Sequence, residues 1–124
     1  MVSEVRIVIA DDQLRAREAL KAVLANYPQV KVVGEAVNGQ EAVDLVQKNY
    51  PDTVLVDLRM PVMDGLQATR LIKSQWPHTR VVVLTMFAAE RLQALAAGAD
   101  AFVLKGGPIE VLVSELVASA RVSI

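Results

Sequence analysis

Short, uninterrupted apolar runs alternate along this chain with longer segments in which apolar residues recur every three or four positions. The short runs are rich in β-branched residues and predict strands covered on both faces, over residues 5–10, 31–34, 53–56, 80–84 and 101–104. The longer segments predict helices over residues 16–27, 39–50, 66–76, 88–97 and 109–120. The first three helices are ended by prolines at positions 28, 51 and 77, and the fourth by Gly98.

Five strands that alternate with five helices predict a parallel sheet with helices on both faces. In 124 residues, this pattern favours an α/β fold of the flavodoxin-like, doubly wound type, (βα)5, with strand order 2-1-3-4-5. A barrel would need eight such units and about twice the residues. Because no repeat or linker interrupts the pattern, we expect residues 1–124 to form one domain.

Composition then limits the class of protein. Apolar residues make up 53% of the chain, which is enough for a core and excludes intrinsic disorder. Thirteen basic and fourteen acidic residues leave a net charge of −1, which argues against direct binding to nucleic acid. The absence of cysteine excludes disulfides and thiolate metal sites. With no signal peptide and no apolar stretch of roughly 18–20 residues, we expect a cytoplasmic protein without a membrane partner.

Polar side chains follow the predicted strands at the points where the strands end. Asp11 and Asp12 follow the first strand, Asp57 the third, Thr85 the fourth and Lys105 the fifth. Ligands of open α/β sheets bind at these ends, near the point where the strand order reverses. Because strands 1 and 3 are neighbours in the predicted order, we expect three carboxylates in one crevice, with a hydroxyl and an ammonium at its rim.

Three carboxylates in one crevice repel one another. At about 4 Å and an effective dielectric near 20, each pair costs about 4 kcal/mol. A divalent cation removes that cost, and an all-oxygen site suits Mg²⁺, which also seeks phosphate oxygens. Thr85 can donate a hydrogen bond to a phosphoryl oxygen, and Lys105 can pair with another. These residues predict a phosphoryl-handling site in which one carboxylate is a candidate nucleophile.

Several of these residues also have a simpler structural interpretation. Asp12 would cap the first helix, and Asp64, which precedes a glycine and a helical pattern, is most simply an N-cap. Thr85 is a residue type common in strands, and Phe102 would be an ordinary core aromatic in most sheets. The occurrence of Asp57 and Lys105 at the ends of other strands favours the functional interpretation of Asp12 and Thr85.

Four segments resemble, in order, the motifs of the receiver (CheY-like) domain of two-component response regulators. They are IADD at residues 9–12, DLRMPVMDG at 57–65, LT at 84–85 and AGADAFVLK at 97–105. The resemblance covers essentially the whole chain. The segments VGEA at 33–36, NGQEA at 38–42 and LTMF at 84–87 resemble the NarL/FixJ-like subfamily, whose receivers precede a LuxR-type helix-turn-helix domain.

The resemblance implies a role for each residue of the acidic crevice. Asp57 would accept a phosphoryl group from a phosphohistidine on a sensor histidine kinase. Mg²⁺ would be bound directly by Asp12, Asp57 and the backbone carbonyl of Arg59. Asp11 would act mainly through a metal-bound water. The resemblance therefore implies a phosphorylation-activated signalling domain, which is not an enzyme beyond its own phosphotransfer and slow autodephosphorylation.

The resemblance also implies how the phosphoryl group would be sensed. Thr85 and Lys105 would bind its oxygens, and Phe102 would be the switch aromatic that turns inward as Thr85 moves. The implied output is transcription, with a homodimer forming on phosphorylation and DNA bound through a C-terminal domain that lies outside these residues. The chain would then be a fragment of a longer regulator. The alternative is a stand-alone receiver that acts through protein contacts.

The chain departs from the family pattern at two places near the predicted fifth strand. The stretch from Thr85 to Lys105 is a couple of residues short, and we expect the deletion in the loop or first turn after strand four. Lys105 is followed by Gly106 and Gly107 rather than directly by proline, so the family's Lys–Pro cis peptide is absent and the loop is looser.

Two other functions fit the same fold less well. An aspartyl-nucleophile phosphatase of the haloacid dehalogenase type needs a second aspartate two residues after the first, where this chain has Arg59. A flavodoxin-type cofactor binder needs a Ser-, Thr- or Gly-rich phosphate loop after the first strand. Asp11 and Asp12 stand there instead and would repel a phosphate.

Overall fold

The computed structural model describes residues 4–118, and within them five parallel strands form one sheet in the order β2-β1-β3-β4-β5. The strands are β1 (Val5–Ala10), β2 (Val30–Ala36), β3 (Thr53–Val56), β4 (Arg80–Thr85) and β5 (Ala101–Leu104). The predicted fold class and strand order are confirmed. β2 is longer than predicted at both ends, and Thr85 is the last residue of β4 rather than the residue after it.

Helices follow every strand. They are α1 (Leu14–Leu24), α2 (Gly39–Asn49), α3 (Gly65–Gln75), α4 (Arg91–Ala96) and α5 (Ile109–Leu116). The predicted fourth helix is divided, because a 3-10 turn over Ala88–Glu90 precedes a helix of six residues. The predicted end of the fifth helix, at residue 120, lies outside the described residues. No helix within residues 4–118 has the length and apolarity to cross a membrane.

The sheet is covered on both faces, as its continuous apolar strands predict. Successive residues of a strand point to opposite faces. On β3, Val54 belongs to a core cluster with residues of α2, α3 and α4, whereas Leu55 belongs to one with residues of α1 and α5. Burial of each such side chain contributes about 1.5–3 kcal/mol. With both faces packed, polar side chains are left mainly to the ends of the strands, and the carboxyl ends carry the candidate site.

The start of α3 is fixed against the end of β3. Asp64 caps the helix as predicted: its side chain accepts from the amide of Gln67, whose side chain in turn accepts from the Asp64 amide. A side-chain carbon at Gly65 would overlap the carbonyl oxygen of Asp57, so only glycine permits this close approach. The helix N-terminus therefore lies directly behind Asp57.

The start of α1 differs from the prediction. Gln13, not Asp12, precedes the first helical residue, and it makes no capping bond through its side chain. Instead the Gln13 amide donates to Oδ1 of Asp11 at 2.9 Å. The N-cap interpretation of Asp12 is therefore wrong, and its carboxylate stays exposed at the end of the sheet.

The segment between β4 and β5 has little packing of its own. Its two leucines, Leu92 and Leu95, are 76% and 38% exposed, and Ala94 is the buried residue of α4. Gly98, with a φ of +104°, ends the helix as predicted. No cis peptide bond occurs among residues 4–118, so the bond after Lys105 is trans.

Candidate functional site

Three carboxylates lie together at the carboxyl edge of the sheet, just past β1 and β3. Asp11, Asp12 and Asp57 offer oxygens that all lie within 4.8 Å of one another. Asp11 is buried, Asp57 is half-buried and Asp12 is exposed. The structure thus brings together the three acidic residues that the sequence placed in one crevice, and one cation could reach all of them.

Main-chain hydrogen bonds fix the backbone under these carboxylates. The amide of Asp57 donates to the carbonyl of Ala10 at 2.9 Å, and the amide of Asp11 donates to the carbonyl of Ala36 at 3.0 Å. The pairing of the strands thus continues one residue beyond β1 and β3. The Arg59 amide donates to Oδ1 of Asp57 at 3.2 Å, which orients that carboxylate. The site is therefore built on rigid strand ends rather than on a free loop.

Lys105 supplies a positive charge to this cluster. Its Nζ donates to Oδ2 of Asp57 at 3.0 Å and to Oδ2 of Asp11 at 3.4 Å. Burial lowers the pKa of the Lys105 ammonium, but the hydrogen bond and charge of Asp57, together with Asp11, outweigh burial and leave the pKa above its ordinary value. The ammonium is therefore charged at neutral pH and offsets one of three negative charges.

A buried arginine supports the backbone at Asp11. Nη1 of Arg17 donates to the Asp11 carbonyl at 2.8 Å, and its Nε donates to Glu35 at 3.0 Å. Lys21 donates to the other oxygen of Glu35 at 2.8 Å. The Lys21 bond, opposed by burial and helped by Arg17, lowers the pKa of the Glu35 carboxyl. Glu35 is thus ionised and holds Arg17 against the acidic loop.

Thr85, at the end of β4, is 2% exposed and its hydroxyl has two partners. It donates to Oε1 of Glu90 at 2.6 Å and accepts from the amide of Phe87 at 3.2 Å. Its carbonyl accepts from the Lys105 amide at 2.8 Å, which ties the end of β4 to the ammonium-bearing residue. Thr85 therefore lies beside Lys105, but its hydroxyl is bonded to a carboxylate.

Phe102 stands apart from these polar contacts. It is half-buried on β5, opposite Val83 of β4, and packs against the core cluster that contains Val54. It also lines a groove with Ala88 and Arg91. The structure thus places Phe102 under the segment that follows β4, and shows it as a packed aromatic.

The arrangement suits the binding of a hard cation. Three carboxylates and one ammonium leave a net charge of −2 at the cluster, and every acidic donor is an oxygen. A divalent cation that prefers oxygen ligands fits such a donor set. An anionic group brought by that cation would meet the Lys105 ammonium, so the site can handle phosphoryl chemistry.

Arg17, Glu35 and Glu90 belong to the site but were missed by the sequence reasoning. Glu35 carries a signal that could have been used, because a half-buried carboxylate near the end of an apolar strand needs a positive partner. The lysine and arginine of α1 were available to provide it. Glu90 gives no such signal, since a glutamate in an Ala-rich segment is normally solvated.

Comparisons with known proteins agree with this geometry. The model of the response regulator receiver domain matches residues 7–117. The signal receiver domain of a response regulator named NarL, from Mycobacterium tuberculosis, has a TM-score of 0.89 and 35% identity, over 97% of this chain and 98% of that one.

Two relatives are longer proteins. Protein-glutamate methylesterase/protein-glutamine glutaminase 1 of Carboxydothermus hydrogenoformans is 36% identical over 99% of this chain and 37% of its own length. The uncharacterized transcriptional regulatory protein YhcZ of Bacillus subtilis is 42% identical over 87% of this chain and 51% of its own. The chain thus spans about a third of one and half of the other. Since the family model covers nearly all of the described residues, the chain belongs to the family of response regulator receiver domains, the signalling domains of two-component systems.

Proposed function

We propose that this domain is a switch driven by phosphorylation of Asp57, with a sensor histidine kinase as the donor. The supporting observation is the position of Asp57, half-buried, beside Asp11 and Asp12 and 3.0 Å from the ammonium of Lys105. In the transfer, an oxygen of Asp57 attacks the phosphorus of a phosphohistidine. The P–O bond forms as the P–N bond breaks, and the imidazole nitrogen leaves with the electron pair.

We further propose that Mg²⁺ is the cation of this site. Asp12, Asp57 and the backbone carbonyl of Arg59 would hold it directly, and Asp11 would act through a water. When bound, the ion neutralises charge on the acidic cluster and on the phosphoryl oxygens. The chain itself contributes the Lys105 ammonium. Its hydrogen bond to Asp57 partly neutralises the negative charge of that carboxylate before any phosphoryl group arrives.

The response to phosphorylation would be a shift between two conformations. Phosphorylation replaces the single negative charge of the Asp57 carboxylate with a phosphoryl group that carries about −1.5 to −2, and it brings new acceptor oxygens. Lys105 and Thr85 are the donors proposed to bind these oxygens, and Phe102 would turn inward as Thr85 moves. A contact shifts the equilibrium between the two conformations only if its free energy differs between them. The shift would therefore come from the donors that change partners, Lys105 and Thr85.

We propose transcription as the output. Support comes from the subfamily motifs VGEA at residues 33–36 and NGQEA at 38–42 and from the similarity to YhcZ. The methylesterase relative supports an enzyme-linked output as the second candidate. Homodimer formation on phosphorylation is supported by apolar side chains that remain exposed: Met86, Leu92 and Val111 are 72%, 76% and 50% exposed.

The direct test is phosphorylation by acetyl phosphate, followed by intact mass. We expect the wild-type protein to gain one phosphoryl group in the presence of Mg²⁺ and none after the metal is chelated. Asp57→Asn should gain none, whereas Asp44→Asn, an exposed carboxylate on α2, should react like the wild type. Phosphoryl gain by Asp57→Asn would overturn the assignment. Sedimentation of the phosphorylated sample tests the proposed dimer.

A further inference from the structure

The hydroxyl of Thr85 is already engaged in this structure. It donates its hydrogen to Glu90 at 2.6 Å, and its oxygen accepts from the amide of Phe87. A hydroxyl has a single hydrogen to donate. Thr85 therefore cannot donate to a phosphoryl oxygen for as long as its bond to Glu90 persists.

Glu90 is held from its other side by a residue of the loop that follows Asp57. Its Oε2 forms an ion pair with Arg59 at 3.5 Å, and the Arg59 guanidinium lies 4.4 Å from the ring centre of Phe87. The Arg59 amide, in turn, donates to Oδ1 of Asp57. One series of contacts thus runs from the Asp57 carboxylate through Arg59 and Glu90 to Thr85.

We infer that Glu90 is a positioning residue that holds Thr85 in the resting conformation, and that Arg59 provides its release. The inference rests on the proposed phosphorylation of Asp57. A phosphoryl group there offers Arg59, two residues away, an anion of higher charge than Glu90. Once Arg59 turns to that group, Glu90 loses its counter-ion, and the Thr85 hydroxyl exchanges the Glu90 oxygen for a phosphoryl oxygen.

Of the two contacts of Glu90, the ion pair with Arg59 is the weaker and the bond from Thr85 is the stronger. The Arg59 side chain is 66% exposed, and exposed ion pairs contribute little, so Arg59 changes partners at low cost. The bond from Thr85 to Glu90 is short, charge-assisted and part-buried, and bonds of this kind are the stronger ones. The Thr85–Glu90 contact is therefore the part that stabilises the resting state.

The test is a titration with beryllofluoride, a phosphoryl mimic, in saturating Mg²⁺, followed by NMR and calorimetry. Removal of the contact in Glu90→Ala should tighten beryllofluoride binding about three- to tenfold, because the resting state loses a bond to a charged acceptor. Glu90→Gln keeps an acceptor oxygen but not the charge, and should give a smaller gain. Glu110→Gln, an exposed carboxylate at the start of α5, should bind like the wild type.

A double-mutant cycle separates positioning from a general structural effect. In a Thr85→Val background, Glu90→Ala should no longer change the affinity for beryllofluoride, because the hydroxyl on which Glu90 acts is gone. Unchanged affinity in Glu90→Ala, or an equal gain in both backgrounds, would refute the inference. If Glu90→Ala unfolds, the same two comparisons with Glu90→Gln decide. Failure of the wild type to bind beryllofluoride would instead refute the proposed function, and this inference with it.

Discussion

The loop that follows Asp57 contains a strained residue. Val62 has a φ of +68°, a region that disfavours β-branched side chains, and the Met63 amide donates across it to the Pro61 carbonyl at 2.7 Å. A three-residue turn of this kind is rare and strained. The Val62 side chain is 83% exposed, so no packing compensates for the strain.

We expect Val62→Gly to raise the free energy of unfolding by about 0.5–1 kcal/mol, since relief of about 1–2 kcal/mol of strain exceeds the entropy cost of glycine. Urea denaturation measures the change. The matched control is Val111→Gly, at an exposed valine inside α5, which should lower the free energy of unfolding by about 0.5 kcal/mol. If both variants lose stability equally, Val62 is not strained.

Some residues of the site could be predicted from the sequence and others could not. Asp11, Asp57 and Lys105 were predictable as neighbours, because parallel strands bring their carboxyl ends to one edge. Glu90 was not, because its contact with Thr85 depends on a side-chain conformation in a turn that has no sequence periodicity. The roles of these residues in phosphorylation remain predictions.

Among the helices that the structure describes, the 3-10 turn and α4 bury the fewest side chains. α4 contributes Ala94 as its buried residue, whereas α3 contributes Gly65, Ala68, Thr69 and Ile72. Segments with few buried contacts open locally at low free energy. The Thr85–Glu90 contact is one of the polar bonds that join this segment to β4.

We therefore expect residues 86–98 to exchange their amide hydrogens faster than α3 in the protein without phosphate. Beryllofluoride should change the exchange in residues 86–98 more than in any strand, because the Glu90 contact is exchanged there. Hydrogen exchange followed by mass spectrometry measures both effects, and α3 is the internal control. Equal protection of residues 86–98 and α3 would show that the short segment is merely a trimmed surface loop.

The accuracy of the element predictions follows from how each element is stabilised. The strands and the helices α2 and α3 carry apolar residues that pack into the core, and their periodicity predicted the boundaries to within a few residues. The fourth helix was predicted as one unit because alanine is a strong helix former. Because Leu92 is largely exposed, no large apolar side chain fixes the first turn. That turn adopts the tighter 3-10 form and is held by the polar bond from Thr85 to Glu90.

Across the whole molecule, two similar ion pairs lie at opposite ends of the strands. Arg17 binds Glu35 and a main-chain carbonyl at the carboxyl edge, beside the acidic cluster. Arg80 binds the side chain and the main-chain carbonyl of Glu115 at the other edge, where β4 begins. The two pairs therefore allow a comparison of stability with binding.

We expect Arg17→Gln and Arg80→Gln each to lower the free energy of unfolding by about 1–2 kcal/mol, the loss of bonds to a charged group. Only Arg17→Gln should also weaken Mg²⁺ binding, by about tenfold. Arg17 holds the backbone of Asp11, and residues that hold a metal-site residue in place affect metal affinity. Urea denaturation and calorimetric titration with Mg²⁺ measure the two effects. Equal Mg²⁺ affinity in the two variants would show that Arg17 has a purely structural role.

The ammonium that completes the acidic cluster comes late in the chain. Lys105 lies 94 residues after Asp11 and 48 after Asp57, and it follows β5, an edge strand that pairs with β4. During synthesis the N-terminal part of a chain is available first, so the carboxylates emerge long before their positive partner. A nascent or misfolded chain that lacks β5 would present acidic groups without Lys105. Under the proposed function, such a chain would not respond to the kinase. Only a chain that has completed its fold, with Lys105 beside Asp57, would respond.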